Sequence, residues 1–387
     1  MNRCLLILLF LGIFSISLTA QVREELEKEI GKIIYYDTEI SFKNTPAYLI
    51  GIQLGDTSFV FPYGHTSKNQ GVPQSDHLFE IGGLTKSFTA LIAGILMNEG
   101  KIHPDSSINH YLPVPFQNPT AGAVSILDLV QHTTGLSRLP EGIGLKEKDP
   151  ANPFGHYTKD DLLSYYQEVD FNLIKKNSKP SKNLSKKQYK YSHTNYGLLE
   201  IVLELVSEQT YEQLLQQYIF KPCRMQQSGV HDFTVENRNK MVRGHSIGGQ
   251  STPPWQMRSF AGSEGIKSSM NDLLKYMRAS LQNKTHQLGP LLAHNQQPLI
   301  RTKMAKHIFG GNGWHVITNK NYYDVIMHAG STTGYRSFMG FVSESETGVV
   351  ILANSPHSMN GLGLLILRMI NNNWKRPKKG MKTRIAN

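Results

Sequence analysis

Cysteine is nearly absent from this 387-residue chain, which has only Cys4 and Cys223. Cys4 lies in an apolar N-terminal stretch with the features of a leader. The rest of the chain then carries one thiol, and no disulfide can staple it. Cys223, in "IFKPCRM", is expected to pack as a small buried hydrophobe. Charged residues are sparse at 18%, while hydrophobic residues at 39% are ordinary for a globular protein, which excludes wholesale disorder. The apolar run Leu5 to Ile16 is too short to span a bilayer. No zinc-finger, RNP or helix-turn-helix signature occurs, so no nucleic-acid partner is expected. His-x-x-x-His and Cys-x-x-Cys spacings are also missing, so neither a metal site nor a cofactor is expected.

The N-terminus reads as a secretory signal peptide over residues 1–20. Arg3 supplies the positive end, Leu5 to Ile16 the apolar core, and Ala20 the small residue before the cut. A periplasmic or secreted protein is the expectation. Leu18 is large for its place in such a site, so an uncleaved anchor is the alternative. The net charge of +11 is concentrated in two stretches without acid. "KKNSKPSKNLSKKQYK" (175–190) holds seven lysines, and "KRPKKGMKTR" (375–384) holds six basic residues. Without these thirteen residues the chain is close to neutral. They read as solvated segments in weak contact with an anionic envelope surface.

Periodicity places strands at both ends of the chain. "AYLIGIQLGDTSFVFPYGH" is two β-rich runs split by Gly55-Asp56, a hairpin signal. "YYDVIMHAG", "GYRSFMGFV" and "TGVVILAN" are three more strand-like runs, and "NGLGLLILRMINNNW" closes the chain as a helix. Thr85 to Asn98 carries apolar residues at helical spacing. Further helices are expected at Ser125 to Gln131, Asp160 to Tyr166 and Asn195 to Tyr218. The expected fold is α/β (α+β): an antiparallel sheet built from both chain ends, flanked by helices, with a mostly helical insert. The sheet parts are expected at about 30–65 and 310–374, and the helical region at about 95–300. One body over 21–374 then precedes a basic tail, 375–387.

Three short stretches hold the chemistry-bearing residues. Gly83-Leu84-Thr85-Lys86 opens a helix, Tyr191-Ser192-His193 precedes another, and His328-Ala329-Gly330-Ser331 ends a strand. Their order resembles the serine β-lactamase and penicillin-binding protein family, in its class C β-lactamase and D-alanyl-D-alanine carboxypeptidase branch. That family carries Ser-x-x-Lys, Tyr-x-Asn, and Lys-Thr-Gly or His-x-Gly. "ILDLVQHTTGL" and "FAGSEGIKSSMNDLLKYM" resemble further family segments, so the likeness covers most of the chain. An acyl-enzyme route needs a serine oxygen, a base beside it and donors for the oxyanion. The resemblance implies Lys86 as general base, Tyr191 as proton relay, and His328 and Gly330 as the His-x-Gly pair. Ser331 N–H and Gly83 N–H become the oxyanion donors.

Two positions depart from that pattern. His193 stands where the asparagine belongs, and a histidine there keeps one hydrogen bond and adds a titratable group. Gly83 stands where the nucleophilic serine belongs, and no Ser-x-x-Lys occurs anywhere in the chain. Ser87 and Thr85 adjoin Lys86 directly and lack the spacing of a nucleophile–base pair. The reading that follows is a β-lactamase-related protein of the cell envelope that binds a small peptide, β-lactam or ester without acylation. The alternatives are an active hydrolase that uses water or another nucleophile, and an engineered Ser-to-Gly variant of one.

Overall fold

The computed structural model of the chain describes residues 2–36, 46–66, 71–122, 124–141, 143, 152–177, 187–231, 233–282, 285–318 and 323–371. The tail at 375–384 and the middle of the lysine-rich stretch, 178–186, lie outside the described residues.

Alternating apolar residues around Gly55-Asp56 give the N-terminal hairpin, β1 (Ala47–Leu54) and β2 (Thr57–Gly64). Four short strands follow in the middle of the chain: β3 (Leu78–Glu80) pairs with β6 (Lys267–Ser269), and β4 (Gly244–His245) with β5 (Ser251–Thr252). The C-terminal strands are β7 (Ile300–Arg301), β8 (Ile308–Gly310), β9 (His315–Ile317), β10 (Val325–Ser331), β11 (Arg336–Val342) and β12 (Thr347–Ala353). They join the hairpin in one eight-stranded antiparallel sheet of order β2-β1-β12-β11-β10-β9-β8-β7. The two chain ends meet where β1 pairs with β12, with Tyr48 opposite Ala353 and Leu54 opposite Thr347.

The period of two along each strand divides the core. Leu49, Val350 and Leu352 face one side, where the Thr85–Asn98 and Met270–Leu281 helices contribute Phe88, Leu91, Leu273 and Tyr276. Tyr48, Ile50, Val349 and Ile351 face the other, covered by Leu362, Ile366 and Leu367 of the Asn360–Ile370 helix and by Leu26 and Ile30 of the Asn2–Tyr36 helix. A sheet covered on both faces reads as near-continuous apolar runs, as β12 does. Cys223 is buried in the first core, and burial pushes its thiol up to about 12.

The structure differs from the sequence reading at three places. The N-terminal sheet part starts at Ala47, with helix over Asn2–Tyr36. The sheet also reaches back to Ile300 through β7 and β8, whose two and three residues are too short to show a period. The helix expected over Asn195 to Tyr218 is broken: His193–Ser207 ends at Glu208 in a left-handed conformation, and Thr210 caps a new helix, Tyr211–Leu215. Thr210 and Gln213 form a reciprocal capping box, a local signal that outweighs a continuous apolar pattern. Among the described residues no helix is long and apolar enough to cross a membrane.

Candidate active site

The three stretches meet where β3, β10 and two helix starts converge. After β3 the chain turns through Gly82–Leu84, a single 3₁₀ turn that runs into the Thr85–Asn98 helix. Gly82 has φ of +49°, and a Cβ there would stand 2.6 Å from Ser331 N. Only glycine accepts both the left-handed backbone and the close approach of β10. Gly330 is held just as tightly, because a Cβ on it would collide with the Ile81 carbonyl oxygen. Ser337 Oγ donates to that same oxygen at 2.7 Å and fixes β11 to the turn. The end of β10 is thereby pressed against the helix start. Ser331 N and Gly83 N, the latter in the first turn where N–H groups have no acceptor within the helix, come to the same corner.

Gly83 is buried at the centre of this corner. A Cβ on it would stand 3.1 Å from Tyr191 Oη, 3.1 Å from Ala329 O and 3.3 Å from His328 Cε1. Tyr191 precedes the His193–Ser207 helix, whose start is set by Ser192 accepting a hydrogen bond from Asn195 N. His328 donates from Nδ1 to Ala329 O at 2.9 Å. Burial, with His315 and Lys86 nearby, holds its imidazole well below the usual histidine range.

Lys86 is fully buried in the first turn of its helix, and its ammonium is surrounded by acceptors. It donates to Ser263 O at 3.0 Å and to Glu264 Oε1 at 3.2 Å, and it lies 3.1 Å from His193 Nδ1. Burial lowers its pKa to about 8, against the pull of the Glu264 carboxylate. Glu264, on the short Ala261–Glu264 helix, also holds His193 Nδ1 at 2.7 Å. Burial would raise the Glu264 carboxyl, but His193 and Lys86 outweigh it and hold the group at about 2. Burial and the adjacent ammonium lower His193. Tyr191 is raised, first by burial and then by the Glu264 charge.

Around Tyr191 stand four imidazoles. His132, His193, His315 and His328 have ring centroids 4.7, 5.4, 6.2 and 6.3 Å from the tyrosine ring. Arg138 lies over the same ring at 5.5 Å. His132 accepts from Ser192 N at Nδ1, and His315 Nε2 bonds Tyr189 Oη at 2.9 Å.

The fold therefore brings together every residue singled out in the sequence: Gly83, Lys86, Tyr191, His193, His328, Gly330 and Ser331. Glu264, His132, His315 and Arg138 were not among them. Glu264 had a visible signal, since it is an acid between Gly262 and Gly265 in the quoted "FAGSEGIKSS". His132 likewise lies inside "ILDLVQHTTGL". His315 had none, because β9 is three residues long and its neighbours are set by sheet order. Of the basic stretch at 175–190, Lys187 pairs with Asp128 at 2.7 Å, and Lys190 donates to Gly135 O. Among the described residues no group of three or more His, Cys, Asp and Glu side chains is placed to hold a metal.

Residues 42–368 match the family model described as Beta-lactamase. A beta-lactamase of Providencia stuartii is 24% identical over 383 residues, covering 90% of this chain and 91% of that protein. The beta-lactamase of Pseudomonas fluorescens is 24% identical over 345 residues, covering 78% and 86%. The D-alanyl-D-alanine-carboxypeptidase/endopeptidase AmpH of Escherichia coli (strain K12) is 22% identical over 309 residues, or 76% of each chain.

Proposed function

The chain belongs to the beta-lactamase family, and from that premise we propose that it is a non-acylating member, which takes a small peptide, β-lactam or ester into the family's cleft without forming a covalent bond to residue 83. The observation that carries this reading is the environment of Gly83. The residue three before Lys86 has no side-chain nucleophile, and Tyr191 Oη and Ala329 O approach to 3.1 Å of the point where a Cβ would stand. Lys86 is in turn engaged by Glu264 and Ser263 O, rather than left as a free amine beside residue 83. The donors for a ligand carbonyl remain, Gly83 N–H and Ser331 N–H. Binding energy without a nucleophile gives recognition rather than an acyl-enzyme.

This reading includes a location in or beyond the cell envelope. A cut near Ala20 keeps Leu26 and Ile30, the part of the first helix that packs on the sheet. The basic segments at 175–190 and 375–384 would add weak adhesion to an anionic surface.

The test is intact mass after incubation with a penicillin and with a fluorophosphonate, beside thermal melting with each. The expected result is an unchanged mass and a melting temperature that rises saturably with at least one carbonyl ligand. A mass gain equal to one bound ligand would overturn the reading, and peptide mapping would then identify the true nucleophile.

A further inference from the structure

We propose that the Gly83 corner is a carboxylate site: it holds the free carboxyl group of a carboxylic acid, one oxygen on the Gly83 and Ser331 N–H groups and the other on the Tyr191 hydroxyl. The proposal rests on the reading that residue 83 is not acylated, and it names the chemical group that the site takes.

Three donors border the corner, each from a different element. Gly83 N–H lies in the first turn and has no backbone acceptor among the described residues. Thr332 N donates to Tyr335 O at 3.1 Å. By the alternation of an antiparallel ladder, the next pair, Ser331 and Arg336, exchanges no hydrogen bonds. Ser331 N–H therefore points away from β11, on the side where Gly82 comes close, and β9 pairs with β10 no further than Met327. Tyr191 Oη, 3.1 Å from the point where a Cβ on Gly83 would stand, makes no hydrogen bond among the described residues. Lys86 bonds Ser263 O and Glu264 instead, with its ammonium 5.0 Å from the centre of the tyrosine ring. Burial and the Glu264 charge keep the phenol protonated, so its oxygen has a proton to donate.

Shape and charge select the same ligand. In an acyl-serine the acyl carbon carries a carbonyl oxygen and the serine Oγ. A free carboxylate carries two oxygens in the same trigonal arrangement and brings the second one itself. With glycine at residue 83 the chain supplies neither that oxygen nor the carbon before it. Ala329 O, the acceptor that faces the same point at 3.1 Å, is already bonded by His328 Nδ1. Arg138 lies over the Tyr191 ring at 5.5 Å, and Arg336 stands opposite Ser331, donating to Thr332 O and Tyr335 O. Neither guanidinium is paired with an acid among the described residues, whereas the Lys86 ammonium is matched by Glu264. This surplus of positive charge adds little to the binding of a neutral carbonyl and attracts an anion. The ligand is then the acid that hydrolysis of an ester, amide or lactam releases, rather than the uncleaved compound.

The experiment titrates the full chain at neutral pH with phenylacetate, and in parallel with phenylacetamide and methyl phenylacetate, by isothermal calorimetry, with intact mass after each. The acid should bind about tenfold or more tightly than its amide or its ester, because a charged acceptor strengthens each hydrogen bond. Tyr191→Phe should weaken the acid about tenfold or more, the loss of one hydrogen bond to a charged group, and change the neutral compounds little. Gly83→Ala should also weaken the acid, since its Cβ crowds the second oxygen. Absent binding of the acid, binding no tighter than that of the neutral compounds, or binding unchanged in both variants overturns the proposal and leaves the non-acylating reading standing. A covalent adduct with the ester overturns the non-acylating reading itself. Should Gly83→Ala fail to fold, Tyr191→Phe, which keeps the ring packing, decides alone.

Discussion

Tyr191 Oη stands 3.1 Å from the point that a Cβ on Gly83 would occupy, with Ala329 O at the same distance on another side. Contacts of 3.0–3.4 Å are tighter than most that a Cβ makes, so a side chain at residue 83 requires its neighbours to give by a few tenths of an ångström. Neighbours stand close on several sides of this glycine, and the Lys86 ammonium is already paired with Glu264.

Gly83→Ser should therefore fold but acylate slowly. The backbone at residue 83 is not in the left-handed region, so the substitution meets crowding rather than forbidden torsions. The lysine is held mainly as ammonium by Glu264. Adding Glu264→Gln removes that hold and frees the amine at neutral pH. The double variant should gain a penicillin adduct roughly tenfold faster than Gly83→Ser, the equivalent of about one pKa unit. Time-resolved intact mass distinguishes the two.

Lys86→Met should be strongly destabilising. It leaves the buried Glu264 carboxylate without its ammonium, and breaking a buried pair by removing one partner costs about 3–5 kcal/mol. Lys86→Met with Glu264→Gln should recover most of the loss, because no uncompensated charge remains. Urea unfolding of the four proteins in a double-mutant cycle measures the coupling.

Stability should fall with acid before the carboxylates titrate. Burial depresses His132, His193, His315 and His328 in the folded state, His315 to about 4. The unfolded chain takes up these protons near 6.5, so the folded state is favoured fully above that pH. That advantage is lost as pH falls from about 6.5 toward 4. Each such group contributes about 1.4 kcal/mol per pH unit within its window. His315→Gln should flatten the dependence by about that slope, read from urea midpoints between pH 6.5 and 4.5.

Gly82→Ala should separate torsional strain from contact. Gly55 and Gly82 have nearly equal φ, +52° and +49°, but a Cβ on Gly55 meets open space while one on Gly82 meets Ser331 N. Gly55→Ala should cost about 1 kcal/mol, the torsional penalty. Gly82→Ala should cost about 1–3 kcal/mol more by forcing β10 away. It should also weaken ligand binding, as isothermal titration would record.

The sequence by itself determined the elements and the family. Strand periodicity around Gly55-Asp56, the apolar spacing of Phe88, Leu91, Ile92 and Ile95, and the order of the three short motifs all depend on neighbours within one turn or one strand. These local signals survive without knowledge of the rest of the chain. That residue 83, three before Lys86, is a glycine is likewise a sequence fact. Tertiary structure alone decided what surrounds it. Lys86 is separated from His193 by 107 positions and from Glu264 by 178, and their pairing depends on two helix starts meeting the end of the short Ala261–Glu264 helix. Sheet order likewise gathered His315 to the ring of Tyr191, and burial set the direction of each proton affinity. Periodicity records which face a residue turns inward; it carries no record of which distant residue meets it there. That is why the members of the site were largely legible and their charge pairing was not.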